Sequence, residues 1–181
     1  MKKILSSIAI IGYIVLSTAA AHASDGQITF NGRLTDTTCT IDVNGGGAFL
    51  GVVRLPTISA SELPSAGATA APTNFSIDLT LCTGSSTQVL AFFEPSNSFV
   101  SATGNLKNLI TDSTGATNVE LQLLDSVGTP IKVGDDSQNS GAITPIVDNK
   151  ATIRHSVQYY ATGTAGAGLV ESKVTFILTY P

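Results

Sequence analysis

The chain has 181 residues, of which 43% are hydrophobic and only 12% are charged, and its formal net charge is −4. It carries no cluster of basic residues, so it is not expected to bind nucleic acid or an anionic membrane surface. Its length suffices for one domain with a substantial core but is tight for two.

The first 23 residues have the pattern of an export signal. Lys2 and Lys3 give a positive start, residues 4–16 are almost wholly apolar, and small residues precede a cleavage position between Ala23 and Ser24. A membrane anchor is the alternative, but the apolar run is shorter than the roughly 20 residues that span a bilayer. Cleavage would leave 158 residues with 7 basic and 13 acidic side chains and a net charge of −6.

Cys39 and Cys82 are the two cysteines of the chain. In an oxidising compartment such a pair is most simply a disulfide, which would stabilise the fold by about 4 kcal/mol in the chain-entropy model. Two cysteines this far apart do not form a metal site, and a catalytic thiol would leave one of them unexplained.

Taken in chain order, the rest of the sequence predicts short strands that alternate with polar turns. The predicted strands are residues 38–43, 49–55, 75–81, 89–93, 119–124, 152–160 and 173–180. Glycine-rich or polar turns are predicted at 44–47, 134–137 and 161–164, a flexible connection at 65–72, and one short helical turn at 59–63. This pattern is typical of an antiparallel sandwich or barrel.

Candidate catalytic or metal-binding residues are few. His155 is the only histidine after residue 23, and without a second histidine or a nucleophile elbow it is expected to face outward from its strand. The pair Asp135 and Asp136 lacks the alternating ligand spacing of a calcium loop and is expected in a solvated hairpin turn. We therefore predict no catalytic residue, cofactor or metal, and a small secreted hydrolase is the enzyme alternative.

The two ends of the chain each carry a strand in need of a partner. Apolar residues recur at every second position at the amino-terminal end (Ile28, Phe30, Gly32, Leu34) and at the carboxyl end (Val174, Phe176, Leu178, Tyr180). An ordinary sandwich could pair its own two ends. Alternatively, each copy gives its first strand to the next copy, and such a head-to-tail contact does not close and so builds a filament.

Several motifs resemble those of one protein family. Residues 28–34 (ITFNGRL) are similar to that family's amino-terminal extension, and residues 75–82 (FSIDLTLC) reproduce its spacing of Phe, Ile and Leu before the second cysteine. Residues 119–125 and 159–163 also look like family segments. The family is that of chaperone-usher pilins of the type 1 fimbrial major-subunit kind, and the resemblance covers the whole chain from residue 24.

The carboxyl terminus carries the most specific part of the resemblance. Gly168 is the fourteenth residue from the end and Tyr180 is the penultimate one, and in the family such residues flank the strand that a periplasmic chaperone recognises. Pro181 after the tyrosine is a departure from the pattern, but a proline can end a strand.

The resemblance implies an all-β fold: an incomplete immunoglobulin-like sandwich that lacks its final strand and is completed by a donor strand from another subunit. It implies a signal peptide at 1–23, a donor-strand extension at 24–37 and a pilin domain at 38–181, with Cys39 and Cys82 joining the first two strands. The donor residues would be Ile28, Phe30, Gly32 and Leu34, and the strand recognised by the chaperone would present Gly168, Val174, Phe176, Leu178 and Tyr180.

The function implied is that of a structural subunit of a bacterial fimbria that supports cell adhesion. Its partners would be identical or related subunits, a periplasmic chaperone and an outer-membrane usher, and it would pass through the periplasm to the cell surface. A minor adaptor or tip-associated adhesive subunit is the alternative. For Gly32, the alternative is a hairpin turn at the Asn31–Gly32 dipeptide.

Overall fold

Antiparallel strands make up the fold, as the alternating runs predict. The computed structural model describes residues 34–48 and 50–181. In these ranges it has the strands β1 (Thr38–Val43), β2 (Thr69–Thr83), β3 (Gln88–Phe93), β4 (Leu106–Lys107), β5 (Thr117–Leu124), β6 (Thr144–Pro145), β7 (Ala151–Gly166) and β8 (Phe176–Thr179). Two short 3-10 helices lie at Ala60–Glu62 and Asp136–Ser140. None of the helices described is long and apolar enough to cross a membrane.

The strands form two sheets. A five-stranded sheet has the order β1-β2-β7-β5-β4, and a three-stranded sheet has the order β6-β3-β8. All the strand pairs are antiparallel. The larger sheet is built around β2 and β7, which have 15 and 16 residues and pair along most of their length.

The core lies between the two sheets. Its most deeply buried large side chains are Ile77 and Leu79 of β2, Ile153 of β7, and Val89 and Phe93 of β3. On each strand these residues are two or four positions apart, because successive side chains of a strand point to opposite faces of the sheet. The alternation seen in the sequence therefore marks the faces that the two sheets turn toward each other.

The predicted disulfide is confirmed. Cys39 of β1 is bonded to Cys82 of β2, and their Cα atoms are 4.1 Å apart. The two cysteines are 43 residues apart in sequence, so the bond closes a long loop that includes the segment between β1 and β2. It thus fixes the start of β1 against the end of β2.

Three of the predicted local elements are wrong. Residues 50–55 form no strand, because no neighbouring strand offers them backbone partners, and Phe49 lies outside the described residues. The turn predicted at 161–164 lies inside β7, which continues to pair with β5 as far as Gly166. The connection predicted at 65–72 already belongs to β2 from Thr69 onward.

His155 does not face outward, contrary to the prediction. It lies on the core face of β7 in phase with Ile153 and Val157, and only 7% of its surface is exposed. Its ring packs against Phe75 and Phe93 at centroid distances of 5.7 and 5.0 Å. The phase of the strand, rather than the polarity of the side chain, decides which way the residue points.

Asp135 and Asp136 lie at the start of a 3-10 helix and not in a hairpin turn. The Asp135 side chain caps the helix by accepting a hydrogen bond from the Ser137 N–H, and it also pairs with Lys132 at 3.1 Å. The hydrogen bonds from Ser137, together with Lys132, lower the pKa of Asp135 to about 2. The group is a structural cap, and among the described residues no cluster of three metal-ligating side chains occurs.

Candidate functional site

The last strand has a neighbour on one side only among the described residues. β8 stands at the end of the order β6-β3-β8 and pairs with β3, where Phe93 lies opposite Phe176 and Phe92 lies opposite Ile177. One residue earlier, the Glu94 N–H donates to the Thr175 carbonyl at 2.9 Å. Hydrogen-bonded and non-bonded pairs alternate along an antiparallel ladder. The backbone groups of Phe176 and of every second residue after it therefore point away from β3, toward the free edge.

The same residues turn their side chains toward the core without being covered. Phe176, Leu178 and Tyr180 pack against the buried cluster that contains Ile77 and Leu79, yet all three are only half-buried. Between them, Ile177 points to the opposite face of the sheet and is 49% exposed. Upstream, Val170 and Val174 are half-buried in the same alternation.

A second row of half-buried apolar side chains comes from the first part of the chain. It consists of Ile41 of β1 and of Val53, Leu55 and Ile58 from the unpaired segment that follows. The core consists of three buried clusters, and both rows pack against all three. Going along the chain, the two rows meet these clusters in opposite order. From this shared packing and partial burial we infer that the two rows border one uncovered groove, called the open groove and defined by Ile41, Val53, Leu55, Ile58, Val170, Val174, Phe176, Leu178 and Tyr180.

Polar contacts hold both borders of the open groove in place. The Tyr180 hydroxyl lies 3.7 Å from Cys39 Sγ, so the end of the last strand contacts the disulfide. The Tyr159 hydroxyl donates to the Pro56 carbonyl at 3.0 Å and holds the unpaired segment against β7. Burial raises the pKa of both tyrosines, so both hydroxyls stay protonated at neutral pH.

The chemistry of the open groove is that of a missing strand. It offers apolar side chains spaced two residues apart and a row of backbone N–H and C=O groups along β8. An extended apolar segment would satisfy both, because a strand supplies backbone partners along its edge and side chains at every second position. The residues bordering the groove are apolar apart from the Tyr180 hydroxyl, so this arrangement supports the binding of an extended apolar segment.

Gly168 is exposed and lies two residues before Val170, one of the residues that define the open groove. A Cβ atom built on it would come within 2.4 Å of the Ala116 backbone nitrogen and 2.5 Å of the Gly115 carbonyl carbon. Immediately after it, Leu169 exchanges backbone hydrogen bonds with Thr114 and Ala116. Glycine at this position thus permits the close backbone approach that seats the segment leading into β8.

The structure brings some of the predicted site residues together and leaves others outside. Val174, Phe176, Leu178 and Tyr180 all border the open groove, whereas Ile28, Phe30, Gly32, Ala23 and Ser24 lie outside the described residues. Leu34 is described and is 100% exposed. Sequence reasoning missed Ile41, Val53, Leu55 and Ile58 as part of the site. The alternation at Ile41, Val53 and Leu55 was visible but indicated ordinary paired strands, and Ile58 lay between a predicted strand and a predicted helical turn.

Comparisons with known proteins agree with this geometry. The family model of the type-1 fimbrial protein, A (FimA), matches residues 55–181. The major fimbrial subunit SMF-1 of Stenotrophomonas maltophilia is 43% identical over 166 residues, which cover 89% of this chain and 95% of the relative. The F17 fimbrial protein of Escherichia coli is 40% identical over 171 residues and is covered to 92%, with 91% of this chain aligned.

A solved structure supports the fold independently. A subunit in the structure of a chaperone-usher pilus superposes with a TM-score of 0.59 at 18% identity, over 87% of this chain and 96% of that one. At such low identity the likeness speaks for the fold alone, and the family rests on the sequence matches. The chain belongs to the type-1 fimbrial protein family, the subunit family of chaperone-usher fimbriae.

Proposed function

We propose that this chain is a structural subunit of a bacterial surface fimbria that supports cell adhesion and polymerises by donor-strand exchange. In this mechanism the amino-terminal extension of one copy fills the open groove of the next. The observation that carries the proposal is the free edge of β8, bordered by two rows of half-buried apolar side chains. A contact of this kind is head-to-tail and unclosed, so it generates a fibre.

The amino-terminal extension has the composition that the open groove requires. Residues 28–34 alternate apolar and polar side chains, and a strand rises about 3.3 Å per residue, so this stretch is long enough to run beside all of β8. Leu34 is fully exposed and contributes no apolar contact to its own domain. Burying Ile28, Phe30 and Leu34 in another subunit would contribute about 1.5 to 3 kcal/mol for each side chain.

Backbone pairing would add to this apolar burial. Each hydrogen bond to the edge of β8 contributes about 1 kcal/mol net, so the joint reaches the order of a whole domain's stability. Its persistence would then depend on slow unfolding of the recipient subunit rather than on a weak equilibrium.

The same groove explains the partners that we propose. Before polymerisation a periplasmic chaperone would cover the free edge with a strand of its own, and an outer-membrane usher would catalyse the exchange for the incoming extension. Export through the signal at 1–23, with cleavage between Ala23 and Ser24, would bring the subunit to that compartment. The role is structural and non-enzymatic, in keeping with the names of the relatives, which are fimbrial subunits.

Gly32 offers the sharpest test of the donor assignment. In the family that this chain resembles, the glycine of the extension occupies a shallow pocket of the recipient. A leucine at this position should clash with the floor of that pocket, so Gly32→Leu is expected to fold with chaperone but to give few fibres in electron micrographs of the cell surface. Asn31→Leu is the matched control, because it adds an apolar side chain to the opposite face of the same strand. A normal fibre yield from Gly32→Leu would contradict the proposed mechanism.

Deletion tests whether this chain is the major subunit of the fimbria. Cells that lack this chain should lose their fibres, whereas a minor adaptor or tip-associated subunit would leave fibres in place. The ratio of this chain to other subunits in purified fibres then checks the result by a second route.

A further inference from the structure

A set of contacts at the start of the domain is not explained by its core. Asp36 precedes β1, and its carboxylate accepts hydrogen bonds from the Ser85 N–H and the Ser85 hydroxyl, both at 3.1 Å. These groups are 49 residues apart in sequence. The hydrogen bonds from Ser85 lower the pKa of Asp36, so the carboxylate is charged at neutral pH and remains a strong acceptor.

The next residue is held by the same turn. Thr37 is 95% buried although its side chain is polar, and its hydroxyl accepts a hydrogen bond from the Ser86 N–H at 3.1 Å. Gly84 makes room for it, because a Cβ atom on Gly84 would come within 2.6 Å of the Thr37 Cα atom. Gly84 also has a φ of +95°, which side-chain-bearing residues rarely adopt.

These contacts continue in register into the disulfide. The Thr38 and Thr83 hydroxyls are 2.9 Å apart, and Cys39 is bonded to Cys82. The Thr37 N–H also donates to the Thr35 hydroxyl at 3.1 Å, directly after the fully exposed Leu34. Residues 36–39 are thus each tied to the end of β2 or to the turn that follows it.

We propose that Asp36 and Thr37, held by Gly84, Ser85 and Ser86, form a clasp that fixes the direction in which the amino-terminal extension leaves the domain and so sets the stiffness of the joint between successive subunits. The inference rests on the proposed function, since it concerns the arm that enters the next subunit. With Leu34 buried in the next subunit as the last donor residue, the free tether between arm and domain shrinks to Thr35 alone, instead of the three residues 35–37 that a domain start at Thr38 would leave. A shorter tether permits fewer orientations of one subunit relative to the next.

A local motif elsewhere supplies a matched control. Asp112 accepts hydrogen bonds from the N–H and the hydroxyl of Thr114, the same pair of donors that Ser85 offers Asp36, but only two residues away. Asp36→Ala and Asp112→Ala therefore remove equivalent hydrogen bonds from exposed carboxylates, and only the first lies next to the arm.

The experiment measures the persistence length of purified fibres by electron microscopy. Asp36→Ala should shorten it about twofold or more while leaving the fibre yield unchanged, because the tether gains residues and the groove is untouched. Asp112→Ala should leave both at the wild-type value. Asp36→Asn, which retains an acceptor for the Ser85 groups, should fall between the two.

A second measurement works on the chaperone-bound subunit and does not depend on fibres. The Ser85 and Ser86 amides should exchange their hydrogens faster in Asp36→Ala than in wild type, and at the wild-type rate in Asp112→Ala. Unchanged exchange at both amides, or Asp36→Ala fibres as stiff as wild type, would overturn the clasp. If the wild-type chain formed no fibres at all, the proposed function would be wrong. The proposed joint between subunits would then be wrong too, whatever the exchange rates.

Discussion

The small sheet has two edges, and the protein treats them in opposite ways. On the β6 side the edge strand is only two residues long and contains Pro145, which has no N–H to offer. At the other end of β3, past the two residues that pair with β6, the side-chain amide of Gln138 takes the place of a neighbouring strand. It accepts from the Phe93 N–H at 3.0 Å and donates to the Phe93 carbonyl at 3.1 Å.

On the β8 side no such cover exists among the described residues. The backbone groups of Phe176 and Leu178 point to a free edge, and their side chains remain half-buried. Natural proteins blunt exposed edges because they invite pairing with other chains. Because the fold covers one edge of the small sheet and leaves the other open, the open edge is available for pairing with another chain. Substitutions at the two edges can test this contrast.

The largest effect is expected from a charge on the open edge. Phe176→Asp places a carboxylate against the core beside Phe93, whose ring centroid lies 6.4 Å from that of Phe176. Burial of an unpaired carboxylate by an incoming strand costs several kcal/mol at least, so the variant should be lost from the periplasm and give no fibres. Copurification with the chaperone and quantification of the soluble subunit measure this.

Ile177→Asp is the control for Phe176→Asp. It lies next in the same strand but points to the other face, where it is 49% exposed, so the charge stays in water. Its recovery should be close to that of wild type. Equal loss of both variants would show that any charge in β8 is disruptive and would remove the distinction between the two faces.

A smaller effect is expected at the covered edge. Gln138→Ala removes the acceptor of the Phe93 N–H, while the Phe93 carbonyl keeps a hydrogen bond from the Gly134 N–H at 3.1 Å. Loss of one buried hydrogen bond with its partner left unsatisfied costs about 1 to 3 kcal/mol, and urea unfolding of the subunits in purified fibres measures it.

Gln88→Ala serves as the control in the same strand, since Gln88 is exposed at the start of β3. Its unfolding free energy should remain within about 0.5 kcal/mol of wild type. If Gln138→Ala were as stable as Gln88→Ala, the side-chain amide would not be what covers this edge.

The smallest effect concerns His155, behind the covered edge. Its Nδ1 lies 3.3 Å from the Leu124 carbonyl, and Nε2 is buried with no hydrogen-bond partner among the described residues. Burial lowers the pKa of the imidazole below 6.5, although the Leu124 carbonyl and Asp125 oppose the shift. The folded state therefore binds fewer protons than the unfolded state, so stability is full above pH 6.5 and declines as the pH falls below it.

His155→Phe should remove that part of the pH dependence. The phenyl ring keeps the contacts with Phe75 and Phe93 and has no proton to bind. Urea unfolding at about pH 7.5 and about pH 5.5 should show a smaller decrease in stability for the variant than for wild type. Equal decreases would assign the acid sensitivity to the carboxylates alone.

Much of the fold could be predicted from local pattern. The limits of β1 at Thr38 and Val43, the existence of β3, β5 and β7, and the disulfide all follow from alternation, turn residues and cysteine count. The errors arose where a neighbour decided the outcome. Residues 161–164 looked like a turn because of Gly163, but the Asn118 side chain packs 3.4 Å from the position of a Cβ there, and the strand continues past it.

The site divides in the same way. Phe176, Leu178 and Tyr180 could be assigned from their spacing near the end of the chain, and the resemblance to pilins gave them a role. Val53 and Leu55 could not be assigned to the site, because a run of alternating residues does not reveal whether a partner strand lies beside it. The clasp at Asp36 was also missed, since its partner Ser85 is 49 residues away.

The sequence alone determined which residues are apolar and that they recur at every second position, because hydrophobicity and the two-residue repeat of a strand are local properties. It also determined the alternating arm at 28–34 and the chemistry of the two cysteines. Only the tertiary structure decided which edges are paired and which stay open, since pairing depends on residues far apart in sequence. The uncovered edge of β8 is therefore a property of the tertiary structure.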